Sequence, residues 1–164
     1  MIRRQAGFTL IEILIAVLVL GIGLLGVAGL QSATLRINQG AYLRSQATLL
    51  ARDIGDRMRA NPRGAADGAY DMGGSGSASL SSSCETTSGC GTTVMASHDL
   101  AEWINTVQAR LPQGDAVVCI DSSAGDGTPG APACDGSGDS YLVKIWWFET
   151  EDQEDQRFET EIRP

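Results

Sequence analysis

The sequence has one histidine, His98, and none of its four cysteines stands in a C-x-x-C pair. A zinc site built from Cys84, Cys90, Cys119 and Cys134 is therefore disfavoured, because structural zinc ligands come as closely spaced Cys and His pairs. No nucleophile pattern flanks His98, which reads as a surface residue and not a catalytic one. Basic residues are also scarce, 12 against 20 acidic ones, for a formal net charge of -8. That balance argues against nucleic acid as a partner, since such proteins carry a basic face or stripe. The densest acidic run, Glu149-Thr150-Glu151-Asp152-Gln153-Glu154-Asp155, reads as a solvated hairpin tip. The aspartate- and glycine-rich stretches 121–127 and 135–139 lack EF-hand spacing, so turn chemistry accounts for them better than calcium. No cofactor is expected.

The chain of 164 residues holds one modest domain, and the part beyond its apolar N-terminal stretch is short for a single core. Cysteine pairing would support so small a domain in an oxidising compartment. Of three possible connectivities, Cys84–Cys90 with Cys119–Cys134 is expected, because each bond closes a nearby segment flanked by turn-forming residues.

Charge is scarcest near the N-terminus. From Phe8 to Leu35 the only charged residue is Glu12, and Ile13 to Leu30 is apolar or glycine throughout. Such a stretch is long enough to span a bilayer, which takes about 20 residues. Arg3 and Arg4 precede it, so the positive-inside tendency keeps the first residues cytoplasmic and sends the remainder to the periplasm. A cleaved secretory signal, with Val27-Ala28-Gly29 as its end, or a plain signal anchor would share these features. Glu12 argues against both, because a carboxylate within an apolar segment costs a few kcal/mol and calls for a function and a partner.

Gly7-Phe8-Thr9-Leu10-Ile11-Glu12, after a short basic leader and before an apolar helix, resembles the class III signal of type IV pilins and pseudopilins. The resemblance implies cleavage after Gly7 by a membrane prepilin peptidase and N-methylation of Phe8. It also implies that Glu12 meets the N-terminal amine of a neighbouring subunit during assembly. Physically, the Phe8 ammonium is the cation that cleavage creates at this depth, and burying the two charges together costs far less than burying either alone.

Helical periodicity continues through Arg36, Tyr42, Leu43, Leu49, Leu50, Ile54 and Met58 until Asn61-Pro62. From Phe8 to Ala60 this makes a rod of about 80 Å at 1.5 Å per residue. Gly21, Gly23, Gly26 and Gly29 in its apolar half either permit close helix approach or let the helix bend, and both readings stay open. Residues 62–97, rich in glycine, serine and threonine, read as a long loop. A second helix follows, capped by Ser97 or Asp99, with Leu100, Trp103, Ile104, Val107 and Leu111 on its core face. Strands are expected at Ala116 to Asp121, Tyr141 to Phe148 and Arg157 to Ile162. Trp146 and Trp147 then lie on opposite faces, one partly covered by the long helix and the other at a contact surface.

The segments expected are a leader (1–7), a membrane or filament-core half-helix (8–35), a periplasmic half-helix (36–61), the loop (62–97), and a head of helix plus sheet (98–164). The fold class is α+β. It is similar to the type IV pilin fold, a long N-terminal helix packed on a small antiparallel sheet with a disulfide-stapled loop. Gly21-Ile22-Gly23-Leu24-Leu25-Gly26, Leu43-Arg44-Ser45-Gln46-Ala47, Asp56-Arg57-Met58-Arg59-Ala60-Asn61-Pro62 and Asp99-Leu100-Ala101-Glu102-Trp103 resemble the PilV group of minor pilins. That resemblance implies a non-enzymatic subunit that primes assembly in a tip complex. Its partners would be the prepilin peptidase, other minor pilins, the major pilin and a tip adhesin, with inner-membrane lipid around the helix before assembly. The chain runs past Cys134 to Pro164 without another cysteine, a departure from major pilins, which close a cysteine loop at the C-terminal end. A type II secretion pseudopilin and a membrane-anchored periplasmic binding or enzymatic domain are the alternatives.

Overall fold

The computed structural model of the chain describes residues 7–73, 76–149 and 154–163. Two compact units are present, Met1–Ala41 and Tyr42–Pro164, and helix α1 (Leu10–Ala60) contributes to each. In the first unit the large apolar side chains stand outward, Leu10 and Leu25 among the most exposed. No residue in the most apolar stretch of α1 is buried, and that stretch is long and apolar enough to cross a membrane. A lone helix has nothing to bury its side chains against, so lipid or other chains must cover them.

In the second unit α1 presents Leu43, Ala47, Leu50, Ala51, Ile54, Gly55 and Met58 as a buried stripe. The three- and four-residue steps put these on one face. Tyr42 and Leu49, though part of the same periodic run, fall beside that face and are exposed. The helix stops at Ala60, where the Asn61 side chain accepts from Gly64 N–H and Pro62 opens a short helix, α2 (Pro62–Ala66). Proline suits a first helical position because its missing N–H has no intrahelical partner there.

The segment 62–97 is more ordered than a long loop. It contains α2, a 3-10 turn at Ser82–Glu85 and the start of α3 (Thr92–Arg110). Gly91, and neither Ser97 nor Asp99, is the N-cap of α3, and it makes no side-chain cap bond. Tertiary packing therefore defines this start: Ala96 is fully buried, the Ser97 hydroxyl meets Ser79, and Asp99 is drawn to Tyr70. Leu100, Trp103, Val107 and Leu111 form the core stripe, with Ile104 partly buried against it.

Strands β1 (Asp115–Ile120), β2 (Tyr141–Glu149) and β3 (Glu154–Ile162) make an antiparallel sheet in the order β1-β2-β3. Asp115 pairs with Trp146 and Ile120 with Tyr141, while Tyr141 pairs with Ile162 and Glu149 with Glu154. The centre of the acidic run, 150–153, lies outside the described residues. One sheet face, carrying Val118, Val143, Ile145 and Trp147, joins the core shared by α1 and α3. The other carries Val117, Cys119 and Trp146 under Met72 and Cys134. Neither tryptophan is at a contact surface: Trp146 is 3% and Trp147 2% exposed. The chain between β1 and β2 folds back over the second face, and a bond between Cys119 and Cys134 ties it there. A second disulfide joins Cys84 to Cys90 around the 3-10 turn.

Candidate functional site

Gly7, Phe8 and Thr9 lead into α1 without regular structure, and the Thr9 carbonyl accepts from the N–H groups of Glu12 (3.1 Å) and Ile13 (3.3 Å). Glu12 thus stands in the first turn, where the N-terminal end of the helix dipole favours an anion. Thr9 and Glu12 also have the spacing of a capping box. Phe8 and Glu12 are exposed, and among the described residues no side chain bonds to the Glu12 carboxylate. Gly21, Gly23, Gly26 and Gly29 have open space where a side chain would begin. The leader residues 1–6, Arg3 and Arg4 included, lie outside the described residues.

In the second unit the sequence stretches 56–62 and 99–103 interlock. Arg57 Nη1 donates to Glu102 at 2.8 Å and to Asp99 at 3.4 Å, and its Nε donates to Asp53 at 3.3 Å. Burial works against the guanidinium's charge, but the bond to Glu102 and the three carboxylates outweigh it and raise its pKa further. The same bond holds Glu102 below the usual carboxylate range. Tyr70 O–H donates to Asp99 at 2.6 Å, and burial followed by that bond pushes its pKa well up. Asn61 donates to Thr92 O at 2.7 Å and to Tyr70 at 3.3 Å, which links α1, α2 and α3. Trp103 Nε1 donates to Leu50 O at 2.8 Å inside the core.

His98 is buried, not superficial. Its Nδ1 accepts from Ser81 N–H at 3.1 Å and Nε2 lies 3.8 Å from Glu102, so it fastens the disulfide turn to α3.

The chain also matches known families along most of this length. Residues 2–28 match the model of the prokaryotic N-terminal methylation motif, and residues 29–101 match the Tt1218-like model, described as type IV pilin Tt1218. The chain belongs to the type IV pilins. No curated protein and no solved structure matches it. The long N-terminal helix, small three-stranded antiparallel sheet and disulfide-tied loops of this pilin fit the type IV pilin fold. As a pilin with the methylation motif, it is a prepilin peptidase substrate that assembles with other pilins. The motif and the apolar helix suit an inner-membrane anchor later carried into a pilus. The family is a structural one.

One feature of this pilin was hidden from pattern reading. Lys144, in the middle of β2, is completely buried. Its ammonium donates to Asp126 Oδ1 at 2.7 Å and to the Pro132 carbonyl at 2.9 Å, and it lies 2.6 Å from Asp121 Oδ2 as an ion pair. Arg157 adds bonds to the carbonyls of Asp126 (3.0 Å) and Gly127 (3.3 Å). Asp121 and Asp126 therefore serve the chain's own cation. Asp135 accepts from Ser122 and Ser137 in an ordinary turn. Cys119 and Cys134, close to Asp121, are consumed in their disulfide. The signal available in the sequence was a lone lysine within Tyr141-Leu142-Val143-Lys144-Ile145-Trp146, an apolar strand where a charge must find partners.

Proposed function

We propose that this pilin is a minor subunit of the PilV group, which primes filament assembly and takes its place with other minor pilins in a tip complex. The observation that carries the reading is the interlock at Arg57. The two stretches that resemble the PilV group, 56–62 and 99–103, meet there through Asp99 and Glu102. A head organised around that junction gives a reason for both motifs to recur together.

In this reading the peptidase cuts after Gly7 and methylates Phe8, and the apolar half of α1 stays in the product. The C-terminal unit faces the periplasm before assembly. Glu12 then meets the Phe8 ammonium of a neighbour, and each charge offsets the burial of the other. The assembled pilus would support twitching motility and adhesion.

Deletion of the gene, followed by complementation with wild type or Glu12→Ala, tests this. Deletion is expected to abolish surface pili and twitching while type II secretion continues. Glu12→Ala is expected to insert and be processed normally but to fail to restore piliation. Lost secretion with intact pili would assign the subunit to the secretion system instead. Wild-type entry of Glu12→Ala into pili would remove the proposed pairing.

A further inference from the structure

The segment from Ser81 to Cys90 is bonded almost wholly to itself. Its 3-10 turn, Ser82–Glu85, has no buried residue, and the Cys84–Cys90 disulfide closes within the segment. Cys84 N–H donates to the Ser81 carbonyl at 3.1 Å, Gly89 N–H to the Thr86 carbonyl at 3.0 Å, and the Thr86 hydroxyl to the Ser83 carbonyl at 2.8 Å. Among the described residues, the one hydrogen bond from this loop to the rest of the head runs from Ser81 N–H to His98 Nδ1, at 3.1 Å. The contacts of Ser79 with Ser97 anchor the chain before the loop, not the loop itself.

A backbone N–H only donates, so Nδ1 of His98 is the bare, accepting nitrogen and Nε2 carries the proton of the neutral ring. Protonation places a hydrogen on Nδ1 as well. Both ring nitrogens are then donors, and Ser81 N–H faces a second donor instead of an acceptor. The ring is buried and has little room to turn toward water. Among the described residues, Glu102 is the charged group within ion-pair reach of it, with Oε1 3.8 Å from Nε2. The other charges nearby are directed elsewhere: Arg57 of α1 bonds Glu102 Oε2 and Asp99, Asp99 takes the Tyr70 O–H, and Glu85 in the loop is exposed. Glu102 therefore accommodates an imidazolium where it stands, on the Nε2 side, while the Nδ1 side loses its bond.

We infer that His98 is an acid-operated latch: protonation of its imidazole breaks the one bond that holds the loop 81–90 against α3 and frees that loop as a still cross-linked unit. Imidazole changes charge between about pH 5 and 8, above the range in which ordinary carboxylates are protonated. Release therefore precedes any acid loss at Asp121 and Asp126, and the head stays folded around the freed loop. The device belongs to the head alone and does not depend on a place in a tip complex.

The test uses the full chain, isotope-labelled for NMR, in detergent micelles between about pH 7.5 and about pH 5. The sequence has one histidine, so its ring nitrogens report the protonation of His98 without overlap. Backbone nitrogen relaxation is expected to show order parameters in the loop falling from about 0.85 to below about 0.6, while α3 and the sheet keep theirs. The midpoint of that fall should coincide with the titration of the ring. In His98→Asn the amide oxygen takes the place of Nδ1 and does not titrate, so the loop should stay ordered throughout. In His98→Phe the acceptor is gone, and the loop should be mobile at both ends of the range. Thermal melts confirm that the head of each variant is folded. The inference is overturned if the ring stays neutral to about pH 5, if the loop stays ordered while the ring protonates, if the two midpoints differ, or if His98→Phe leaves the loop as ordered as in wild type at about pH 7.5.

Discussion

Lys144 and Asp121 form an ion pair that solvent does not reach: Nζ lies 2.6 Å from Oδ2, and neither side chain has exposed surface. Removing one member strands the other charge in the interior. Lys144→Met is therefore expected to destabilise the head by about 3–5 kcal/mol. Replacing both, Lys144→Met with Asp121→Leu, should recover a large part of that loss. Urea denaturation followed by tryptophan fluorescence measures both, and a single substitution that costs under about 1 kcal/mol would contradict the assigned role.

The same pair gives the head an acid limit. Burial raises the Asp121 carboxyl, but hydrogen bonds from Lys144 and Ser123 outweigh burial and hold its pKa below the ordinary value. Asp126 is lowered as well, chiefly by its bond to Lys144. Both carboxylates therefore contribute stability that is present above about pH 4 and is lost as pH falls through their depressed values. Lys144 shifts the other way: burial lowers it, the bonds to Asp121 and Asp126 prevail, and its pKa rises. Its contribution is present below about pH 10 and is lost as pH climbs through the raised value. Stability should thus fall on acidification below about pH 4. In Lys144→Met the stranded Asp121 is driven upward, so the deficit relative to wild type should shrink as pH falls. Denaturation midpoints between about pH 2 and pH 7 decide the sign.

The Cys119–Cys134 bond closes a separation of 15 residues and covers Trp146. Replacing both cysteines by alanine should cost about 3 kcal/mol from loop entropy and shift Trp146 emission toward that of a solvated indole. The Cys84–Cys90 bond closes only 6 residues, so its removal should cost less. Thermal melts of the two double variants check the order, and a larger loss at Cys84–Cys90 would reverse it.

Local signals were legible in the sequence where local chemistry decides the structure. Asn61-Pro62 ends α1 because proline cannot continue the helix and Asn61 caps the next one. The strands are found near the expected positions because their apolar and β-branched residues fit a pleated surface. Contacts between distant segments were not legible. The first turns of α3, Thr92-Thr93-Val94-Met95-Ala96-Ser97, carry residues common in loops and become helical through packing around Ala96. His98 is buried because Ser81 lies against it, 17 residues away in sequence. Trp146 is buried because the segment ending at Cys134 crosses its face. At the N-terminus the order of reading is reversed: Gly7, Phe8 and Glu12 carry their meaning in the motif, and the single chain leaves Phe8 and Glu12 exposed.

The central claim is that the apolar half of α1 is kept as the assembly element of a processed subunit. Intact-mass analysis with N-terminal sequencing of the protein recovered from membranes tests it most directly. The account predicts one mature species that begins at N-methylated Phe8, with Leu10 to Leu35 retained. A mature chain that begins after Ala28 or Ala33 would instead show ordinary signal cleavage, and would contradict the account.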